Sequence, residues 1–456
     1  MAGIGFELRK ILKRDSLLSL MQAYSYAALI SSGPWIMSIV GILIIGLMSY
    51  AVIVPKQVIV QFQVSITYVI SLSLVLTGIF QLALTRFAAD RLFEKDQDAI
   101  LPNFHAVSFA VTAAGGMLGL VCAVLLFPEQ SLLYRLLLLA CFVIMCNIWI
   151  ATIFLSGMKQ YQAIFWIYAL GYTITVLAAL VLRGWGLEGL MAGFALGQAV
   201  LLMAMMALIL RNFESDRFIS FEFFRRERLY PSLMAIGFLY NLAIWIDKAM
   251  FWFTPETSQA IIGPLRASVI YDLPVFLAYL AIIPGMAIFL LRMETDFVED
   301  YDAFYDAVRG GASLETIEKH RNGMVQTVRL GLSEIIKIQA IATLLLIVTG
   351  EAILHWLGIS PLYLPLLYID VIAASLQVVL LGILNVFFYL DKRRIVLGLC
   401  TAFVVLNVAL TWLSIQLGPT FYGFGFALAV LVVVLVGALL LARKLELLEY
   451  ETFMLQ

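Results

Sequence analysis

Residues 241 to 253 read NLAIWIDKAMFWF, a run apolar enough to cross a bilayer, with Asp247 and Lys248 side by side inside it. A charge held in a membrane costs about 2.5–3.5 kcal/mol on insertion scales, so such residues mark a pathway, a partner or a side chain reaching for the interface. Arg266, Tyr271 and Asp272 follow at the start of the next apolar run, and Asp370 lies alone in a later one. A helix starting at Pro231 carries Asp247 about 24 Å along a core of about 30 Å, which places it and Lys248 in the outer part of the membrane. Sequence neighbours point about 100° apart on a helix and make a poor mutual pair. The expected compensation is therefore Lys248–Asp272 or Asp247–Arg266. Either these charges only lock two helices together, or they form an outer gate whose pairs break; both readings stand. Asp370, shortly after Pro361, falls closer to mid-membrane. Asn241, Trp245 and Gln377 sit near these acids as embedded amides and an aromatic face.

This is transport chemistry rather than catalysis. His105, His320 and His355 are scattered, and no phosphate-binding loop, dinucleotide fingerprint or nucleophile–base set appears. The expectation is no enzyme, no cofactor and no metal, with ATP excluded as the direct energy source. A drive supplied by synthesis of the cargo and coupling to an ion gradient through Asp247 or Asp370 both stay open.

The elements that position these groups follow from composition. The chain of 456 residues is 63% hydrophobic and only 13% charged, too little charge to cover a soluble protein of this size. Repeated apolar runs of membrane-spanning length, without the period-two alternation of barrel strands, read as helices. Twelve spans are predicted, near 24–50, 58–84, 104–127, 132–156, 161–182, 186–210, 231–253, 267–291, 334–357, 361–390, 394–416 and 420–442. All but five of the 29 Lys and Arg residues fall on one side; the exceptions are Lys56, Arg135, Arg183, Lys248 and Arg266. That bias makes both termini cytoplasmic. The first apolar stretch is too long for a cleavable signal and is expected to stay as an anchor. A formal net charge of −1 offers nothing to nucleic acid. The outer loops are short, which leaves no room for the catalytic loop of a membrane glycosyltransferase.

Three other segments invite a function. Residues 1–16 carry Ile4, Leu8, Ile11 and Leu12 at helical spacing beside Glu7, Arg9, Lys10, Lys13 and Arg14. This is either an amphipathic helix on the cytoplasmic leaflet that docks partners, or an ordinary basic flank. Ser32, Gly33 and Pro34 interrupt the first span, where proline removes a backbone hydrogen bond, so a kink is expected as a gating hinge or for packing alone. Pro274 and Pro284 are expected to break span eight in the same way. The polar segment 292–333 holds Asp296, Glu299 and Asp300 among six acids before Gly310-Gly311; it is either a solvated amphipathic hairpin or a docking surface.

An internal repeat organises the whole. Gly193-Phe194-Ala195-Leu196 recurs as Gly425-Phe426-Ala427-Leu428, and a basic stop, Arg211 or Arg443, follows each at the same distance. Basic turns at 158–162 and 391–395 precede both in nearly the same register. The expected layout is a first six-helix half at 17–210, a cytoplasmic linker at 211–230, a second half at 231–442 and a cytoplasmic tail at 443–456. Parallel halves of this kind place a substrate path at their interface.

Two parallel sixes resemble the MOP (multidrug/oligosaccharidyl-lipid/polysaccharide) exporters, a MATE-like all-α fold. The opening MAGIGFELRKILKRDSLLSL, followed by SSGPW at 31–35, resembles that of the inner-membrane exporters of Pel exopolysaccharide systems. The resemblance implies export of a hexosamine-rich polymer to the periplasm. It also implies partners in a synthase complex, among them a glycosyltransferase and a cyclic di-GMP-binding protein, in contact with membrane lipid. An ion-coupled exporter of lipid-linked oligosaccharide or drugs, and a non-transporting scaffold for a synthase, are the alternatives.

Overall fold

The computed structural model describes residues 17–50, 52–158 and 160–454, with side chains from Gln22 onward in the first helix. In lipid each backbone N–H and C=O must be satisfied within its own segment, so apolar sequence of this length becomes helix. The first half contains α1 (Leu17–Ser49), α2 (Gln57–Phe93), α3 (Ile100–Leu126), α4 (Leu132–Gly157), α5 (Tyr161–Leu182) and α6 (Gly186–Asn212). After a polar connection come α7 (Pro231–Phe253), a hairpin of β1 (Gln259–Ile262) and β2 (Leu265–Ala267), α8 (Val269–Leu280), α9 (Ile283–Leu291) and α10 (Phe297–Arg309). The chain continues as α11 (Leu314–Trp356), α12 (Leu364–Tyr389), α13 (Arg393–Leu417), α14 (Phe424–Glu446) and the short α15 (Leu448–Met454).

Eleven helical stretches among the described residues are long and apolar enough to cross a membrane. One of them, Tyr161–Asn212, has 52 residues, far more than the roughly 20 that a single crossing needs. It is α5 and α6 joined by a single tight turn at Arg183–Trp185, after which Gly186 takes a left-handed φ of 69° that a side chain would disfavour. Counting it as two gives the twelve crossings expected. The chain is a multi-pass α-helical membrane protein.

Span eight departs from expectation in a specific way. The break falls at Ala281–Ile282, just before Pro284 opens α9, whereas Pro274 lies inside an unbroken α8. The segment 259–267, ahead of that span, is an antiparallel hairpin with Gln259 opposite Ala267, so Arg266 lies on a strand and not in the first helical turn. The polar segment 292–333 is a helical hairpin. A turn of π-helix at Arg292–Asp296 leads into α10, and Gly310-Gly311 reverses the chain into α11, whose first turn is capped by Ser313. Phe297 and Phe304 are fully buried on the inner face of α10.

The described chain divides into two compact units. The N-unit holds Gly33–Trp245 and Phe251–Ser268; the C-unit holds the chain up to Ser32, Ile246–Met250 and everything from Val269. The cut is not in the linker at 211–230, where the sequence placed it. It falls inside α1, between Ser32 and Gly33, and inside α7. Most of α7 joins the N-unit because Gly78 and Gly237 let it cross α2 backbone to backbone: a Cβ on Gly78 would lie 2.6 Å from the Gly237 carbonyl oxygen. Small residues at such crossings are the usual source of close helix packing in lipid, where no hydrophobic drive exists between helices.

The repeat is visible as a packing joint. A Cβ on Gly193 would meet the Ala179 backbone at 2.3 Å, and one on Gly425 would meet the Thr411 backbone at 2.4 Å. Glycine and partner are displaced along the chain by the same interval in both cases, so α5–α6 and α13–α14 are the same helix pair built twice.

Candidate functional site

Asp247 and Lys248 are buried in the stretch of α7 that belongs to the C-unit. Lys248 Nζ lies 3.1 Å from Asp247 Oδ2, so the neighbours form the ion pair that helix geometry argued against. The physical reason is the lysine stem: four rotatable carbons let the ammonium fold back to the nearest anion, whatever the angle between Cβ atoms. Asp247 Oδ2 also accepts from the Tyr271 hydroxyl at 2.7 Å, and Oδ1 accepts from Asn407 Nδ2 at 3.4 Å. The ammonium stands 5.2 Å from the centre of the Tyr279 ring and 5.0 Å from that of Phe426, a cation–π arrangement. Tyr279 in turn donates to Gln377 at 2.9 Å.

Asp370 completes the cluster and differs from the rest. It is buried, within electrostatic reach of Lys248 and Asp247, and neither of its carboxylate oxygens has a hydrogen-bond partner. A buried carboxylate left without a partner is costly if ionised. Two carboxylates against one ammonium carry a net charge of −1 when all are ionised, which a proton or a small cation would cancel.

The repeated Gly-Phe motif forms one wall. Gly423, with φ of 85°, is so close to Asp370 that a Cβ there would come within 3.0 Å of Oδ1. Gly425 makes room for Thr411, whose hydroxyl donates to Asn407 Oδ1 at 2.8 Å and so aims the Asn407 amide at Asp247. Phe426 supplies the ring near Lys248.

Other residues singled out in the sequence lie elsewhere. Arg266 sits on β2, where its guanidinium donates to the Ser258 hydroxyl at 2.8 Å and the Ser258 carbonyl at 3.2 Å. The expected Asp247–Arg266 pair is thus replaced on both sides, because the chain at 259–267 is a hairpin rather than the first turn of span eight. Asp272 is half-buried in the first turn of α8. Asn241 donates to the Leu74 carbonyl at 3.3 Å and to Gln81 at 3.5 Å within the N-unit. Trp245 packs 6.2 Å from Trp252, which stacks on Tyr68 at 4.6 Å. Of the site residues named from sequence, Asp247, Lys248, Tyr271, Asp370 and Gln377 come together. Tyr279 and Phe426 were missed because aromatic residues are abundant here. Asn407 was visible only as one embedded amide among several; the repeat register was the signal, since it marks 407 as the counterpart of Thr175.

At Ser32, Gly33 and Pro34, α1 runs on without a break. A Cβ on Gly33 would meet the Phe165 ring at 2.6 Å, so the glycine admits close packing of α1 on α5. Glu7, Arg9 and Lys10 lie outside the described residues. In the helical hairpin at 292–333 Asp296 pairs with Arg292 at 2.6 Å, Asp300 accepts from Thr327 at 2.5 Å, and Glu299 lies on an exposed face.

A second ionic group closes the ends of α2 and α7 in the N-unit. Arg91 pairs with Glu94, Asp96 and Glu222, and Arg228 bridges Glu94 and Glu222. Tyr230 donates to Asp90; burial, and then that bond, hold its phenol above the ordinary value.

The fold is that of known transporters. An outward-facing multidrug resistance MATE family transporter of the MOP superfamily superposes with a TM-score of 0.67 at 14% identity, over 93% of this chain and 96% of that one. An inward-facing conformation of a multidrug resistance MATE family transporter gives 0.58 at 13% identity, over 93% and 95% of the two chains. A MOP superfamily transporter from Pyrococcus furiosus gives 0.63 at 14%, over 93% and 96%. None of the curated proteins matches the sequence. The family model PelG, an exopolysaccharide exporter (EPS-E), matches residues 1–453. With a family match over nearly its whole length and a MOP-type fold, the chain belongs to the PelG family of exopolysaccharide exporters.

Proposed function

We propose that the chain moves a hexosamine-rich, Pel-like exopolysaccharide across the bacterial inner membrane to the periplasm, both termini being cytoplasmic. It works beside the glycosyltransferase and cyclic di-GMP-binding subunits that make the polymer. The family match over residues 1–453 carries the substrate class. The bias of Lys and Arg to one side supports the orientation.

Within that reading, Asp247, Lys248 and Asp370 are the coupling and gating group. The observation that supports this is Asp370, buried with both oxygens unpartnered beside an intact ion pair. When the cluster is closed to water, Asp370 holds a proton or a small cation; when it opens, hydration favours release. Ser32-Gly33-Pro34 serves as a hinge in α1, supported by the boundary between compact units at Ser32 and Gly33. Asp272, Arg266, Asn241 and Trp245 line the route rather than the coupling group. Asp296, Glu299 and Asp300, with Glu7, Arg9 and Lys10, face the synthase.

The test is secreted polymer from cells carrying Asp247→Asn, Asp370→Asn or Lys248→Ala at matched membrane abundance. Each is expected to lower export at least about tenfold, the loss of about 1.4 kcal/mol of coupling. Normal export from all three would remove the assignment of the site. Polymer uptake into vesicles containing the purified chain separates transport from a scaffold role, since a scaffold binds the glycosyltransferase without flux.

A further inference from the structure

The short C-terminal helix α15 has two unlike faces. Its acids turn inward. Glu451 pairs with Lys392 at 2.6 Å and with Lys444, and Glu449 accepts from Arg321 Nε at 3.0 Å. Leu448 and Thr452 are buried on the same side, with Thr452 donating to the Leu448 carbonyl and lying beside Tyr305 of α10. The helix is thereby bound to the α12–α13 turn, to the end of α14 and to both arms of the cytoplasmic hairpin. The outward face is different: Tyr450, Phe453 and Met454, together with Leu447 in the turn just before the helix, are each half or more exposed.

That apolar face continues a stripe. On α14 the exposed residues Leu428, Val432, Leu435 and Leu439 follow one another at helical spacing, and on a membrane-crossing helix this stripe meets acyl chains. The same spacing runs through the end of α14 into Leu447 and Tyr450. Arg443 is exposed where α14 ends, at the level suited to phosphate headgroups. A helix with an apolar outer face, an aromatic at the boundary and its charges on the opposite side has the make-up of one lying in a membrane interface.

We propose that α15 is an interfacial helix. It seats Leu447, Tyr450, Phe453 and Met454 between the headgroups and acyl chains of the leaflet where α14 ends, and its inward ion pairs tie the α10–α11 hairpin to that surface. The occupant is phospholipid, because the face extends the lipid-facing side of α14; a protein partner is the competing outcome.

The test attaches bimane at Tyr450→Cys and, separately, at Phe453→Cys, in a chain carrying Cys122→Ser, reconstituted in phosphatidylcholine–phosphatidylglycerol nanodiscs. A lipid bearing a nitroxide near its headgroup is expected to quench both labels at least about twofold more than it quenches a label at the exposed Glu318→Cys. Aqueous iodide is expected to rank them in the reverse order. Iodide quenching equal to that at Glu318→Cys, with no effect of the nitroxide lipid, would overturn the proposal and leave the face to a protein. Two label sites guard against one variant failing to fold. Adding Glu451→Ala, which removes the anchor to Lys392 and Lys444, is expected to reduce the lipid quenching; no change would overturn the tether.

Discussion

The helix pairs α5–α6 and α13–α14 share one joint and put it to different uses. In both, a glycine lies against the backbone of the preceding helix, Gly193 on Ala179 and Gly425 on Thr411. In the first pair the polar contacts stay within the pair: Gln198 donates to Thr175 at 3.1 Å, and Thr175 to the Gly171 carbonyl. In the second pair the counterpart of Thr175 is Asn407, which looks outward to Asp247. A duplicated scaffold has thus kept its packing in both copies and placed an embedded charge cluster against only one. Close backbone contact tolerates no change, whereas the residue one turn away along the helix is free to acquire chemistry.

The largest effect that separates the pairs is loss of the ammonium. Lys248→Met leaves Asp247 buried without its counter-ion, and truncating one partner of a buried pair costs about 3–5 kcal/mol. The thermal midpoint of the purified chain is expected to fall further than for any uncharged change at Gln198; an equal fall would break the contrast. Next come Gly193→Ala and Gly425→Ala, each expected to cost about 1–3 kcal/mol through overpacking against backbone. Equal losses of thermal midpoint sharpen the claim of a common joint, and a harmless change at either position breaks it.

Smaller still are Asn407→Ala and Gln198→Ala, each removing a buried hydrogen bond worth about 1 kcal/mol net. Their stabilities should match while export falls only for Asn407→Ala. Export that drops equally in both would place function in the joint rather than in the charge. The smallest difference lies where each pair ends. Lys444, at the end of α14, holds Glu451, an arrangement with no counterpart described after α6. Burial raises the Glu451 carboxyl, but bonds from Lys392 and Lys444 outweigh this and hold it below its ordinary value of 4.5. A depressed folded value means the contact stabilises fully above pH about 4.5 and is lost as pH falls through that folded value. Amide-exchange protection at 447–454, corrected for the intrinsic rate at each pH, is expected to fall on acidification more than protection at 208–212.

Much of this was legible in the residues. Helix rise put Asp247 and the start of span eight at one depth, but the partner that meets Asp247 there is Tyr271 rather than Arg266. The GFAL repeat marks a glycine joint that is packed alike at both places. Arg266 was misplaced because it was read into the first turn of the span beginning near 267, whereas it lies on β2 of a local hairpin. The Asp247–Lys248 pair was missed because backbone angles do not bound the reach of a long flexible side chain. The unit boundary inside α7 had no local signal at all; it depends on Gly78 and Gly237, residues far apart in sequence.

Composition and the length of the apolar runs by themselves determined that the chain spans a membrane in twelve crossings, since lipid leaves the backbone no alternative to helix. Only the tertiary structure decided which embedded charges meet. Asp370 joins Asp247 and Lys248 because three helices converge on a wall of Gly423, Gly425 and Phe426, and convergence is set by contacts between distant residues that no local pattern encodes.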